Sequence, residues 1–269
     1  MNEVEVIKRS RGRAEIWFPG RWAGGGALIL GLSLLLAGVA LRSPFHFFFP
    51  QRLEAFRDHP ALMTASYSLF AAGNLLLWPA VLTLVRLIGG VRPYWAMWGG
   101  IFAICGLFAR TFHAGVDHLA FQLVRDQGLD SAVKAVSEAY GAFHLFSIFN
   151  LAILLGWIVL AAGAYLSRTM NRLQSIALGL MAALPLGVLK GTTPSSLIAA
   201  AGLCLALMPL GLQVLRDGPP PRLRTAAAWF LLIAAAGASF TSSARRGKGR
   251  GYSASLRRSR RSLRTSAAR

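Results

Sequence analysis

The chain is predicted to be all-α, a polytopic transmembrane helix bundle, and three observations carry that prediction. First, 55% of its 269 residues are hydrophobic and only 14% are charged, whereas soluble domains carry about one charged residue in four; mean hydropathy is +0.51. Second, the apolar residues gather into blocks of about 16 to 28, lengths that cross roughly 30 Å of hydrocarbon. Third, nearly all of the 29 Lys and Arg residues fall outside those blocks, in the loops and tails. In a soluble protein a net charge of +19 would point to nucleic acid. Here membrane topology accounts for it, and with no aromatic-studded basic groove or helix-turn-helix pattern no nucleic-acid partner is expected.

Residues 1–22 form a basic N-terminus. The transmembrane domain is expected over 23–240, and a disordered basic tail over 241–269. The first span, Ala23–Leu41, is longer than the apolar core of about 7–15 residues typical of a signal peptide, so it is expected to be a retained anchor. RSPFHFFFPQRLEAFRDHP (42–60) places four phenylalanines between two prolines. Such a segment belongs in the headgroup region, and Leu53, Phe56 and Arg57 mark a short amphipathic helix along the interface. The second span is Leu62–Leu87, with Asn74 near its middle and Pro79 as an expected kink, which membrane helices tolerate.

Arg86 and Arg92 flank a Gly89-Gly90 turn into the third span, Tyr94–Val124, around which the chain is organised. DQGLDSAVKAVSEAY then mixes both charge signs and reads as a short aqueous helix. The fourth span is Ala139–Leu166, carrying His144 and Asn150, followed by Arg168 and Arg172. The fifth (Leu173–Leu189) and sixth (Ser195–Leu215) are joined by KGTTPS, a turn. DGPPPRLR is a stiff, proline-rich break. A seventh apolar stretch, Thr225–Phe240, is of about 16 residues and marginal for a crossing. Beyond Phe240 the chain is a low-complexity string rich in Arg and Ser with nothing to pack, of the kind that out-of-frame reading of GC-rich DNA produces.

Lys and Arg concentrate on the cytoplasmic side of membrane proteins. With the N-terminus inside, six spans put twelve of these cations on the cytoplasmic side and six outside. The expected location is therefore the bacterial inner membrane with a cytoplasmic N-terminus and the lipid bilayer as partner. The ten cations after Phe240 would attract anionic lipid if the tail is cytoplasmic.

On a helix, Gly99, Ala103, Gly106, Arg110, His113 and Asp117 of the third span share one narrow face. Small residues let a neighbouring backbone approach, and ionisable side chains face the bundle interior or a wet cavity, so packing and charge share this face. Counting about 1.5 Å per residue from Tyr94 puts Arg110 near 24 Å and Asp117 near 35 Å along the helix, at the outer boundary. The candidate polar network is Arg110, His113, Asp117, His118, Tyr140 and His144, with Asp117 as the expected carboxylate for Arg110 and His113 within helical reach of Asp117. Asn74 and Asn150 form a candidate mid-membrane hydrogen-bonded pair. Cys105 and Cys204 lie in apolar segments as small buried residues. No phosphate-loop, nucleophile-elbow, zinc-protease or dinucleotide fingerprint occurs in a usable context.

The leading reading is a non-enzymatic scaffold, sensor or small-ligand binding protein using this outer cluster, with no cofactor. The alternative is a metal-dependent membrane hydrolase in which His113, Asp117, His118 and His144 hold Zn²⁺, a chemically suitable ligand set. A small-solute transporter is a further alternative, although no broken helix pair or inverted repeat points to a midplane site. In layout, residues 20–215 resemble an uncharacterised family of bacterial multi-pass membrane proteins. That family has an Arg-x-x-Gly entry to span one, here Arg21 and Gly24, then a long outer loop. A YGxFH-like start to a late span follows, here Tyr140–His144, and then a short basic turn. The resemblance implies multi-pass topology and supplies no activity.

Overall fold

A computed structural model describes residues 17–46, 49–140, 145–182, 194–217 and Leu231, without the side chains of 139, 140, 145–148, 150, 194 and 195. The chain divides into two units, Met1–Asp217 and Gly218–Arg269, the boundary falling inside the proline-rich break. The described residues of the first unit are helices joined by short turns, and no strand occurs among the described residues. Its helices are α1 (Arg21–Arg42), α2 (Gln51–Asp58), α3 (Pro60–Gly89), α4 (Pro93–Gln127), α5 (Leu129–Tyr140), α6 (Leu145–Leu166), α7 (Arg172–Gly179, running into a 3-10 turn at Leu180–Ala182) and α8 (Pro194–Arg216).

Local chemistry sets several of these boundaries. α3 and α4 begin with proline in the first turn, where a missing N–H costs nothing. Gly128 ends α4 at φ 87, a backbone region that favours glycine. Asn171 and Gln174 cap α7 reciprocally, Asn171 Oδ1 accepting from Gln174 N at 2.8 Å and Gln174 Oε1 from Asn171 N at 3.1 Å. α3 continues through Pro79, and the Thr83 hydroxyl donates to the Pro79 carbonyl at 2.7 Å.

Four helices, α1, α3, α4 and α8, are long and apolar enough to cross a membrane. α6 adds a shorter apolar stretch over Leu151–Leu166 within its described portion. The predicted fifth span is described only as far as Ala182, and there it is an eight-residue helix ending in a 3-10 turn. The seventh apolar stretch, apart from Leu231, and the basic tail lie outside the described residues.

Contacts run α8 to α1 to α3 to α4 to α6 to α7 and back to α8, closing a ring. Glycines let the long helices approach. Gly24, Gly31 and Gly38 recur every seven residues along α1 and meet Thr83, Leu76 and Phe70 of α3, which therefore runs antiparallel. A Cβ at Gly38 would stand 2.6 Å from the Phe70 amide nitrogen and 2.8 Å from the Ser66 carbonyl oxygen. On α4, Gly99 faces Leu160 and Gly106 faces Ile153 of α6, while Gly156 of α6 abuts the Ala103 backbone. The predicted small-residue stripe of the third span thus packs against α6. Leu32, Leu84, Leu107, Trp157, Leu160 and Leu203 lie in one continuous core. A second, smaller core of Leu53, Phe56, Met63, Tyr67, Phe121, Val124 and Ala132 sits where α2 and α5 meet α3 and α4.

Candidate functional site

The polar site lies beside that smaller core. α2 brings Leu53 and Phe56 inward, and Phe56 stacks on Phe121 of α4 with ring centroids 4.4 Å apart and planes within 5°. The Tyr67 ring of α3 meets the same Phe121 edge-on at 5.0 Å. These aromatic contacts fix the amphipathic helix, and Arg52, the residue before Leu53, is carried in with it.

Arg52 Nη1 lies 2.8 Å from Asp117 Oδ1. Asp117 is 7% exposed and Arg52 2%, so this ion pair is shielded from water. Arg42, the last residue of α1, is 1% exposed. Its guanidinium lies 4.7 Å from the Tyr67 ring centroid and 4.1 Å from that of Phe70. The Arg52 guanidinium approaches Tyr67 from 5.8 Å. Arg42 is within electrostatic reach of both Asp117 and Arg52. Arg110, 7% exposed, lies two turns before Asp117 on α4 and within electrostatic reach of Arg42.

The predicted cluster is therefore partly assembled, with added members. Arg110 and Asp117 are buried on α4 as expected. A cation in contact with Asp117 comes from α2, 65 positions earlier in the chain. His118 is held at both ring nitrogens. Nδ1 lies 2.8 Å from the Ala114 carbonyl oxygen and Nε2 lies 3.2 Å from Ser68 Oγ. A carbonyl only accepts, so Nδ1 carries the proton, and in the neutral ring Nε2 accepts from the Ser68 hydroxyl. His113 is half-buried, its ring 5.7 Å from that of Phe112. The side chains of Tyr140, His144 and Asn150 lie outside the described residues, and with them the Asn74–Asn150 pair and any zinc set that uses His144. Asn74 itself is buried, and its Nδ2 donates to Thr111 Oγ1 at 3.4 Å. Among the described residues, no three His, Cys, Asp or Glu side chains gather as a metal site.

Sequence reading missed Arg42, Arg52 and Tyr67. The sequence signal for Arg52 was its place beside Leu53 and four positions before Phe56, on the inward face of an amphipathic helix. Arg42 and Tyr67 offered none, because their roles depend on how α1 and α3 pack. At the far end of α4, an apolar groove of about 330 Å³ is lined by Tyr94, Trp95, Trp98, Phe102 and Val159, aromatic residues suited to a membrane interface. Outside the spans, Arg57 and Asp58 pair on the surface at 2.9 Å. The hydrogen bond from Arg57 holds the Asp58 carboxyl below its ordinary range. No protein family matches this chain, and neither a curated protein nor a solved structure is detectably similar to it.

Proposed function

We propose that the protein is a non-enzymatic scaffold of the bacterial inner membrane whose outward-facing end is closed by α2 and α5. In this reading six segments cross the bilayer, the N-terminus is cytoplasmic as the imbalance of Lys and Arg requires, and residues 225–240 form a shorter apolar segment. One observation carries the scaffold role: the buried 2.8 Å contact between Arg52 and Asp117, which ties an interfacial helix to a membrane-length one. Asp117 and His118, the groups that hydrolytic chemistry would need, are engaged in holding helices together, which favours a structural part for both.

The test is a charge swap. Removing one partner of a buried ion pair typically costs about 3–5 kcal/mol, because the other charge is left buried. Arg52→Asp and Asp117→Arg are each expected to lower the melting temperature of the detergent-solubilised protein, and the double variant to recover at least half of the loss. Single variants that melt with the wild type, or a double variant as unstable as the two losses added, would remove the clamp from the proposal.

A further inference from the structure

The aromatic groove at the end of α4 remote from Asp117 runs along the helix rather than across it. Tyr94, Trp98 and Phe102 recur every four residues on one face of α4. Trp95 lies beside them and Val159 of α6 opposite, around a volume of about 330 Å³. Tyr94 is 77% exposed and Trp98 49%, so the packing of this chain uses only part of either ring. The Trp98 and Phe102 rings stack with centroids 5.7 Å apart, which makes the wall continuous.

The seam between α4 and α6 carries this groove to a cationic end. Gly163 gives Trp95 its seat, since a Cβ there would stand 3.0 Å from the Trp95 Cβ. Gly99 in turn admits Leu160, the neighbour of Val159. One turn beyond Gly163, the Leu166 carbonyl accepts from Arg92 Nε at 3.4 Å. That bond caps the end of α6 and holds the Arg92 guanidinium at the end of the seam. Arg92 is exposed and carries four further N–H groups on its two terminal nitrogens. Arg168, two residues past Leu166, is exposed as well. Residues 86–105 and 151–180, which supply both walls, contain four arginines and no Asp or Glu.

We infer that the groove binds an anionic glycerophospholipid, one acyl chain lying along Tyr94, Trp98 and Phe102 and the phosphate meeting Arg92. From Tyr94 to Phe102 the helix rises about 12 Å, most of the roughly 15 Å of hydrocarbon in one leaflet. Spread over that length, 330 Å³ is a section of about 28 Å². A partner helix, about 10 Å across, needs roughly 80 Å², so the groove suits a single hydrocarbon chain. The charge fits the same occupant, because arginine's planar fork matches a phosphate and basic sites between membrane helices take anionic headgroups. The inference rests on the proposed membrane reading only in needing α4 and α6 to cross the bilayer. Neither the orientation nor the Arg52–Asp117 clamp enters it, and the charge swap tests that clamp separately.

The experiment reconstitutes the full chain into phosphatidylcholine vesicles in which a rising fraction of lipid carries bromine at mid-chain. The brominated lipid is phosphatidylglycerol in one arm and phosphatidylcholine in the other. Bromine quenches tryptophan on contact, so Trp95 and Trp98 report what lies in the groove. Half-maximal quenching is expected at a mole fraction about fivefold lower for phosphatidylglycerol than for phosphatidylcholine. The double variant Trp95→Phe/Trp98→Phe should abolish that difference, because it removes the reporters and keeps the aromatic wall. Arg92→Gln should bring the two lipids within about twofold of each other, and Arg57→Gln on α2 should leave the wild-type difference intact. Should Arg92→Gln fail to fold, Val159→Phe, which fills the groove and keeps every arginine, should likewise abolish the preference. Equal quenching by both lipids in the wild type overturns the inference. So does a preference that survives Arg92→Gln, Val159→Phe or the double tryptophan variant.

Discussion

Asp117 and Asp58 each accept an arginine, at 2.8 and 2.9 Å, yet their environments give the two contacts opposite weight. The Arg57–Asp58 pair is solvent-exposed, so water and salt screen it. Its linkage is simple in sign. The carboxyl is depressed in the folded state, so whatever it contributes is present at neutral pH and is lost as pH falls through that lowered value. Asp58→Asn is accordingly expected to leave the melting temperature at neutral pH unchanged. Asp117→Asn strands Arg52 in a buried cluster and should destabilise the protein by several kcal/mol, far more than replacing exposed Asp126 or Asp130. Equal melting of the Asp117 and Asp126 variants would show that Asp117 is solvated after all. Part of this contrast was legible in the sequence. Helical periodicity set Arg110 and Asp117 on one face with Gly99, Ala103 and Gly106, and hydrocarbon forces such a face inward. The identity of the cation on Asp117 was not legible, because periodicity relates residues within one helix and Arg52 belongs to another.

At the scale of helices, close approach of backbones decides packing, since lipid tails offer no hydrophobic gain for bringing helices together. α1 shows this in its Gly24, Gly31 and Gly38 stripe. Seven residues are nearly two helical turns, so the three stay on one side with a drift of about 20° per repeat. A methyl at Gly38 would press on backbone atoms of Ser66 and Phe70, which do not move aside as a flexible side chain does. It would also disturb the bond from the Ser66 hydroxyl to the Gly38 carbonyl, 2.8 Å long and buried. Gly38→Ala should cost about 1–3 kcal/mol, while Gly26→Ala, whose added methyl meets nothing within 4 Å, should be neutral or mildly stabilising by helix propensity. Chemical denaturation in mixed micelles compares the two, and equal effects would mean that α1 and α3 are not held by this stripe. The spans that become α1, α3, α4 and α8 were legible as apolar blocks, and α2 as an amphipathic segment. The glycine repeat of α1 escaped notice because in an apolar block it reads only as small residues, until a partner helix gives it a direction. The fifth span is described only as far as Ala182, where its helix passes into a 3-10 turn.

For the molecule as a whole, orientation and the basic tail lead to linked expectations. The imbalance of twelve Lys and Arg against six implies that single cysteines near Arg168 and Arg222 label from the cytoplasmic side and one near Asp130 from outside. Labelling at Asp130 from the cytoplasm alone would invert the assignment. The tail belongs to the unit that begins at Gly218, after DGPPPRLR, whose prolines cannot continue α8. Between Phe240 and Arg269 the sequence carries ten cations, no acid and only scattered apolar residues. The ring of helices from α1 to α8 lies wholly before Asp217. If residues 241–269 are cytoplasmic, each cation near an anionic surface adds roughly 1 kcal/mol of attraction, which fades as salt shortens the Debye length below its physiological 8 Å or so. That attraction concerns the membrane surface and leaves the helix contacts unchanged. A chain ending at Phe240 should therefore insert, purify and melt like the full-length protein, while losing salt-sensitive binding to anionic vesicles of its soluble tail peptide. Loss of folded protein on this truncation, with α1 to α8 unchanged in sequence, would make the tail part of the architecture.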